Sequence, residues 1–120
     1  MTARDVGEQF ETQAADFLTN LGWSLLDRNF SCRTGELDLI LRDPSGAIVF
    51  VEVKYRTRND FGFGQEFVGW KKQRRMTLAA LFYIKARQLH GRNYRFDIIS
   101  ISPAGLDHIQ NAFSPDGYTL

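Results

Sequence analysis

Three residues on two strand-like segments could carry hydrolytic chemistry. The segment Glu36–Arg42 alternates apolar and polar residues and contains Asp38, and the segment Ala47–Tyr55 alternates likewise and contains Glu52 and Lys54. Carboxylate oxygens are the ligands that Mg²⁺ and Mn²⁺ prefer. A lysine beside such a cation can orient or deprotonate a water molecule. The residue types and their spacing therefore point to a metal site for hydrolysis.

The turn between the two segments predicts which residues face each other. The sequence Asp43-Pro44-Ser45-Gly46 is typical of a turn, so the two strands should pair antiparallel. If the leucines of the first strand share a face with the valines of the second, the residue numbers of two facing residues sum to an even number. A five-residue loop over 43–47 makes this sum 90, with Arg42 opposite Ile48. The predicted apolar pairs are then Leu41 with Val49, Leu39 with Val51, and Leu37 with Val53.

The same register places charged residues together on the opposite face. Asp38 is expected opposite Glu52, and Glu36 opposite Lys54, with Cβ atoms about 5 Å apart. Two carboxylates at that distance repel each other unless a cation lies between them. The alternative interpretation is that these residues form ordinary surface ion pairs, which contribute little to stability.

The charges of the chain divide into an acidic part and a basic part. The 120 residues carry 15 Lys+Arg and 14 Asp+Glu, and the net charge of +1 excludes a strongly basic, histone-like binder. Residues 1–52 hold nine acidic and four basic side chains, whereas residues 53–95 hold eleven basic and two acidic ones. Basic residues at a helix N-terminus favour nucleic-acid phosphate, although a solvated helix end is the alternative. The predicted nucleic-acid-binding residues are Arg56, Arg58, Lys71, Lys72, Arg74 and Arg75.

The elements that must position these residues are those of one α/β domain over residues 1–120, with a loose tail at 114–120. Apolar periodicity predicts a helix over 5–21 and a longer helix over 68–89 whose later turns are apolar on almost every side. Strands are predicted at 23–30, 36–42, 47–55 and 94–101, with a short edge strand at 108–113 and a glycine-containing loop at 57–66. The expected architecture is a mixed sheet flanked by helices.

Other features exclude several classes of site. The single Cys32 cannot form an internal disulfide, and the isolated His90 and His108, without zinc spacing, are interpreted as surface or structural residues. The aromatic residues Phe61, Phe63 and Trp70 are interpreted as packing residues rather than base-stacking ones. The N-terminal residues lack an apolar signal core, and no apolar run approaches the ~18 residues of a membrane span. We therefore expect a cytoplasmic protein without a membrane partner.

Five segments together resemble the YraN-type family of small bacterial endonuclease-like proteins. In chain order they are Gly7-Glu8, Gly35–Ile40, Phe50–Lys54, Lys72-Gln73 and Arg95–Asp97, and the similarity ends at residues 111–113. That family belongs to the restriction-endonuclease-like superfamily and is similar in its core to archaeal Holliday-junction resolvases. The resemblance implies the αβββαβ core that the element order also predicts, and by analogy with the resolvases it suggests a homodimer.

The resemblance also implies roles for individual residues. The superfamily signature, written PD-(D/E)xK, corresponds here to Asp38, Glu52 and Lys54, with Leu37 in place of the proline. It implies that Asp38, Glu52 and the carbonyl of Val53 bind Mg²⁺ or Mn²⁺ and that Lys54 assists the attacking water. A helix glutamate of the resolvase branch corresponds to Glu8, although the helical wheel places Glu8 opposite the apolar stripe. Gln73 corresponds to a position near the site in some relatives.

These observations leave three hypotheses about function. The first is a metal-dependent nuclease that hydrolyses phosphodiester bonds in DNA, in preference to RNA, with branched or structured DNA as its substrate. The second is a nucleic-acid-binding module that keeps the endonuclease-like fold without catalysis. The third is a structural protein in which the acids and the lysine form ordinary ion pairs.

Overall fold

Two helices and five strands follow the order predicted from the sequence. The computed structural model describes residues 2–56 and 68–115, so the predicted loop over 57–66 and residues 116–120 of the predicted tail lie outside the described residues. The elements are α1 (Ala3–Asn20), β1 (Ser24–Cys32), β2 (Gly35–Arg42), β3 (Ile48–Tyr55), α2 (Trp70–Ala86), β4 (Tyr94–Ser102) and β5 (Gly105–Phe113). The predicted α/β class is confirmed, and so is the additional strand after the αβββαβ core.

The five strands form one mixed sheet whose spatial order equals their order in the chain. Strands β3 and β4 are parallel and are connected through α2, while the other neighbouring pairs are antiparallel. Strands β1 and β5 are the edges of the sheet. The predicted register between β2 and β3 is confirmed where they pair, from Arg42 opposite Ile48 to Leu39 opposite Val51.

A hydrophobic cluster covers each face of the sheet, and each cluster contains one helix. The α1-side cluster contains Ala14 and Leu18 of α1 together with Leu39, Leu41 and valines of β3. The α2-side cluster contains residues of α2, such as Met76 and Tyr83, and the sheet residues Ile40, Ile48, Phe50, Phe96 and Ile98. The two faces of β3 therefore divide as the alternation predicts, and Glu52 follows Phe50 on the α2 side.

The predicted pairing is wrong beyond Leu39. The ladder between β2 and β3 ends at Leu39 and Val51, so Leu37 does not pair with Val53. Leu37 packs in the α2-side cluster, whereas Leu39 packs in the α1-side cluster. The alternation of β2 is therefore broken at Asp38, and the residues beyond it follow a different course from the one that a regular hairpin would impose.

Both helices differ from the prediction at their ends. Helix α1 begins at Ala3, two residues before the predicted start, because Thr2 caps it. The Thr2 hydroxyl accepts a hydrogen bond from the Asp5 N–H, and the Asp5 carboxylate accepts one from the Thr2 N–H. Leu21, the last residue of the predicted helix over 5–21, lies beyond the last residue of α1 and is 55% exposed. The later turns of α2 are apolar on almost every side, as predicted, but they are not covered on every side, since Phe82 is 57% exposed. Across 2–56 and 68–115, no helix is long and apolar enough to cross a membrane.

Candidate metal centre and nucleic-acid interface

The carboxyl groups of Asp38 and Glu52 come together at the point where β2 and β3 separate. Asp38 Oδ2 accepts a hydrogen bond of 2.9 Å from the Val53 N–H. If the ladder between β2 and β3 continued, this N–H would instead bond to a backbone carbonyl of β2. The side chains of Asp38 and Glu52 also share a hydrogen bond. The two predicted carboxylates are thus adjacent, but through a side chain that bonds the neighbouring strand rather than through cross-strand pairing.

Burial and charge make the Glu52 carboxyl difficult to ionise. Its side chain is 11% exposed. Burial, then repulsion from Asp38 and the hydrogen bond with Asp38, raise the pKa of Glu52 to about 7, although Lys72 acts in the opposite direction. Lys72 Nζ lies 3.3 Å from Glu52 Oε2. Near neutral pH this carboxyl therefore exchanges readily between its neutral and charged forms, and a cation of higher charge would favour the charged form.

Lys54 lies two residues after Glu52 and on the same face of β3. It is half-buried, and in the parallel ladder its partner is Ser100 of β4. The predicted pairing of Glu36 with Lys54 is absent from the ladder between β2 and β3, which ends before either residue. The hairpin brings Asp38, Glu52 and Lys54 to one end of the sheet, at the C-terminal end of β3.

The α1 carboxylate that lies beside Asp38 is Glu11 rather than the predicted Glu8. The Glu8 side chain is 51% exposed and forms an ion pair with Arg4 at 3.5 Å. Glu11 lies one helical turn later, and burial and repulsion from Asp38 raise its pKa. Its Oε1 is buried without a hydrogen bond, and Arg28 Nη2 lies 3.9 Å from it. An unsatisfied buried carboxylate oxygen is costly unless something binds it.

Sequence reasoning missed Glu11, although a signal was available. Glu11 precedes Ala14, Ala15 and Leu18 by three, four and seven residues, and these three are the buried residues of α1. Residues at that spacing lie along one face of a helix. The acid on the buried face was therefore Glu11, while Glu8 had only the resemblance in its favour.

The donors at this end of the sheet suit a hard divalent cation in their chemistry. Asp38, Glu52 and Glu11 are all carboxylates, and each has a buried or hydrogen-bonded oxygen. Within residues 2–56 and 68–115, however, no three His, Cys, Asp or Glu side chains are arranged as a ready metal site. Asp38 and Glu52 could hold a cation directly, and Glu11 could join after a change of its side-chain conformation.

The first turns of α2 carry most of the predicted phosphate-binding residues. Lys71, Arg74 and Arg75 are exposed, while Lys72 is directed to Glu52. Arg56 follows β3 directly, and its N–H donates to the Ile101 carbonyl at 2.8 Å. The predicted residue Arg58 lies outside the described residues, as do Phe61 and Phe63.

Two further predictions concern residues around the start of α2. Trp70 is not a packing residue, because it is 68% exposed, with Lys71 Nζ 5.9 Å from its ring centroid. Gln73 Nε2 donates a hydrogen bond of 2.6 Å to the Val68 carbonyl, and this bond fixes the chain that enters α2. The structure therefore gives Gln73 a structural contact and leaves Trp70 available on the surface.

Comparison with known proteins identifies the family. Residues 10–101 match the profile of the uncharacterised protein family UPF0102. The chain belongs to this family. A UPF0102 protein of Persephonella marina is 41% identical over 110 residues, which are 92% of this chain and 94% of that protein. UPF0102 proteins of Aliivibrio fischeri (42% over 113 residues, 91% of both chains) and Myxococcus xanthus (41% over 114 residues, 92% and 90%) are similar.

The family match confirms the resemblance to YraN-type proteins. The matched part of the chain contains Glu11, Asp38, Glu52 and Lys54. The description of the family names no activity, so a function for this UPF0102 protein has to be argued from its site.

Proposed function

We propose that this UPF0102 protein is a Mg²⁺- or Mn²⁺-dependent nuclease that hydrolyses phosphodiester bonds in DNA. The observation that carries the proposal is the contact between the half-buried Asp38 carboxyl group and the buried Glu52 carboxyl group where β2 and β3 separate, an arrangement that costs stability without a cation. Asp38, Glu52 and the carbonyl of Val53 would hold the metal, with Glu11 as a further oxygen ligand. When bound, the cation supplies Lewis-acid polarisation of the phosphoryl group and lowers the pKa of water.

The residues around the carboxylates have separate tasks in this proposal. The Val53 N–H holds Asp38 in one orientation, because a charge-assisted hydrogen bond fixes both its distance and its direction. Lys54, on the Glu52 face of β3, orients the attacking water and balances charge that develops on the phosphoryl oxygens. Lys72 neutralises Glu52 until a metal replaces it, and it is then available to a phosphate.

The surface around α2 supplies contacts to the nucleic-acid backbone. Lys71, Arg74 and Arg56 are exposed cations beside the site, and such side chains bind phosphate without regard to sequence. Trp70 presents an indole ring to solvent among these cations, and an aromatic ring in that setting stacks on an unpaired base. Branched or otherwise structured DNA, which exposes such bases, is therefore the substrate that we favour.

One observation favours a second candidate function, a nucleic-acid-binding module without catalysis. The ammonium group of Lys72 already neutralises Glu52 at 3.3 Å, so the carboxylate pair has a cation even without a metal. A binding module of this kind would show salt-sensitive affinity for DNA and no turnover with any divalent ion.

A cleavage assay decides between the two candidates. Purified protein is incubated with branched, nicked and single-stranded DNA in Mg²⁺, Mn²⁺ or EDTA. We expect cleavage in Mg²⁺ or Mn²⁺, none in EDTA, and loss of cleavage by at least about a hundredfold in Asp38→Ala and in Lys54→Ala. The control Asp16→Asn removes an exposed α1 carboxylate and should cleave normally. Equal cleavage by either site variant and the wild type would contradict the assignment.

A further inference from the structure

A concave surface that is rich in cations lies beside the Asp38 and Glu52 carboxyl groups. It is a cavity of about 370 Å³ between the β1–β2 turn and the first turns of α2. Arg33 of the turn and Lys72 and Arg75 of α2 line it, with Glu36 as the one acid among the lining residues that the structure describes. Three cations from two elements therefore converge around one acid, and the volume lies at the lower end of the range for ligand-binding cavities.

The β1–β2 turn also directs hydrogen-bond donors to the Cys32 thiol, which lines the cavity. The Thr34 hydroxyl lies 3.2 Å from the Sγ of Cys32, which lines the same cavity. Burial of Cys32 raises the pKa of its thiol, but hydrogen bonds from the Thr34 side chain and from the backbone N–H groups of Thr34 and Gly35 outweigh this, so the pKa is lowered. Successive N–H groups that converge in a turn favour negative charge in general. The wall of the cavity that the turn forms therefore favours negative charge at Cys32, and the cations of the turn and of α2 line the same cavity.

Close packing holds the two walls of the cavity together. A Cβ atom placed on Gly35 would lie 2.6 Å from the carbonyl oxygen of Arg75, so only glycine lets the turn contact the backbone of α2. The cavity is consequently formed before any ligand arrives, and a preformed site avoids the cost of ordering its groups.

We propose that this cavity is a phosphate-binding site for a nucleic-acid strand, in which Arg33, Lys72, Arg75 and the Thr34 hydroxyl bind one phosphate group. Lys72 belongs both to the cavity and to the ion pair with Glu52, so the bound phosphate lies next to the candidate metal centre. The inference rests on the proposed function for the identity of the strand as DNA. The phosphate is either a terminal monoester or an internal diester, and both present the same oxygens to these donors.

The single cysteine of the chain reports on this cavity without any catalysis. Cys32 is the only thiol among the 120 residues, and an anion bound beside it should both shield it and disfavour its thiolate. The probes are inorganic phosphate and a ten-nucleotide single-stranded DNA with either a 5′-phosphate or a 5′-hydroxyl, in EDTA. We expect saturating probe to slow alkylation of Cys32 by about tenfold, which corresponds to about one unit in the pKa of the thiol.

Two arginine variants make the test specific. In Arg75→Gln half-maximal protection should need about tenfold more probe than in the wild type, because the loss of one charge-assisted pair weakens binding about tenfold. Arg92→Gln removes the same charge from an exposed site near the start of β4, at the other end of the sheet, and should keep full protection. Greater protection by the 5′-phosphorylated DNA identifies a terminal phosphate, and equal protection by both DNAs identifies an internal one.

Failure of this inference is distinguishable from failure of the proposed function. Alkylation of wild-type Cys32 that no probe slows, or protection that Arg75→Gln reaches at the same probe concentration as the wild type, would overturn the phosphate site even if the protein cleaves DNA. Protection that needs more probe in Arg75→Gln would support the site even if no cleavage is found, since the measurement contains no divalent metal.

Discussion

The substitution Glu52→Gln should stabilise the protein at pH 8 and have much less effect at pH 5. Glutamine keeps the shape of the side chain and its hydrogen bonding, but it carries no charge at any pH. The pKa of Glu52 is about 7 in the folded protein against 4.5 for the unfolded chain. Because the folded value is the higher one, the contribution of this carboxyl to stability is present below pH 4.5 and is lost as the pH rises through 7.

The size of the effect follows from the same two values. The interval from 4.5 to about 7, at about 1.4 kcal/mol for each pH unit, corresponds to about 3 kcal/mol over the whole range. Between pH 5 and pH 8 the wild type should lose about 2–3 kcal/mol that the glutamine variant keeps. The side chain is 11% exposed, so solvent screening reduces this figure little.

Urea denaturation in EDTA at pH 5, 6, 7 and 8 measures the difference in unfolding free energy between variant and wild type. Taking the difference removes the pH dependence of all other groups. Asp16→Asn, which removes an exposed carboxylate, serves as the control and should differ from the wild type by a constant amount. A difference for Glu52→Gln that stays constant within about 0.5 kcal/mol from pH 5 to pH 8 would refute the account of this carboxyl pair, since additivity holds to that level.

Three further predictions concern other parts of the molecule. Glu11→Gln should weaken Mn²⁺ binding about tenfold in calorimetry, because the cation loses one charged ligand. Glu8→Gln should bind Mn²⁺ as the wild type does. Weaker binding by Glu8→Gln than by Glu11→Gln would show that Glu8 is the ligand. Asp97→Asn should cost about 3–5 kcal/mol in urea unfolding at pH 7, because Asp97 is fully buried, Arg95 would keep only Asp43 as a counter-charge, and His108 would lose a charged hydrogen-bond partner. Burial would raise the pKa of Asp97, but its hydrogen bonds outweigh burial and lower the pKa from 3.8. The wild type should therefore lose the stability that Asp97 contributes as the pH falls below 3.8. Acid unfolding of the wild type and of Asp97→Asn at the same pH would contradict this prediction. Gly35→Ala should destabilise the protein by about 1–3 kcal/mol, because the added methyl group clashes with the α2 backbone. Gly7→Ala should stabilise the protein by up to about 1 kcal/mol, because Gly7 lies within α1 and an added methyl group meets nothing within 4 Å. Equal shifts of the two denaturation midpoints would refute the clash at Gly35.

Much of the fold could be predicted because local patterns and the turn agree. The alternation of Val49 and Val51 against Ile48 and Phe50 defines both faces of β3, and the turn after Arg42 fixes its register with β2. The order of elements and the parallel crossover through α2 then follow from the short connections. These signals are local, and nothing in the tertiary structure opposes them.

The break in β2 could not be predicted from β2 alone, because β1 departs from regular strand geometry at the same point. Asn29 of β1 has a φ of +52° and lies opposite Asp38, between the pairs Arg28–Leu39 and Phe30–Leu37. Asparagine tolerates this left-handed conformation, but its presence alone does not predict it. The interruption redirects Leu37 to the α2 side and allows Asp38 to bond the backbone of β3.

Side-chain partners within the candidate site were likewise beyond the sequence. The hairpin register predicted that Asp38 and Glu52 meet, and they do. The choice of Glu11 over Glu8 depends on which face of α1 the sheet buries, and the contact of Lys72 with Glu52 depends on how α2 crosses it. Such contacts between distant segments are decided by packing of whole elements rather than by the residues' own spacing.

The central claim is that the Asp38–Glu52 pair binds a divalent cation, and paramagnetic broadening by Mn²⁺ tests it most directly. In a two-dimensional NMR spectrum of ¹⁵N-labelled protein, substoichiometric Mn²⁺ should selectively broaden the amide signals of Val53, whose N–H bonds Asp38, and of Glu52 itself. The same titration of Asp38→Ala should leave those signals sharp. Broadening confined to other surfaces, or equal in the wild type and the variant, would contradict the claim.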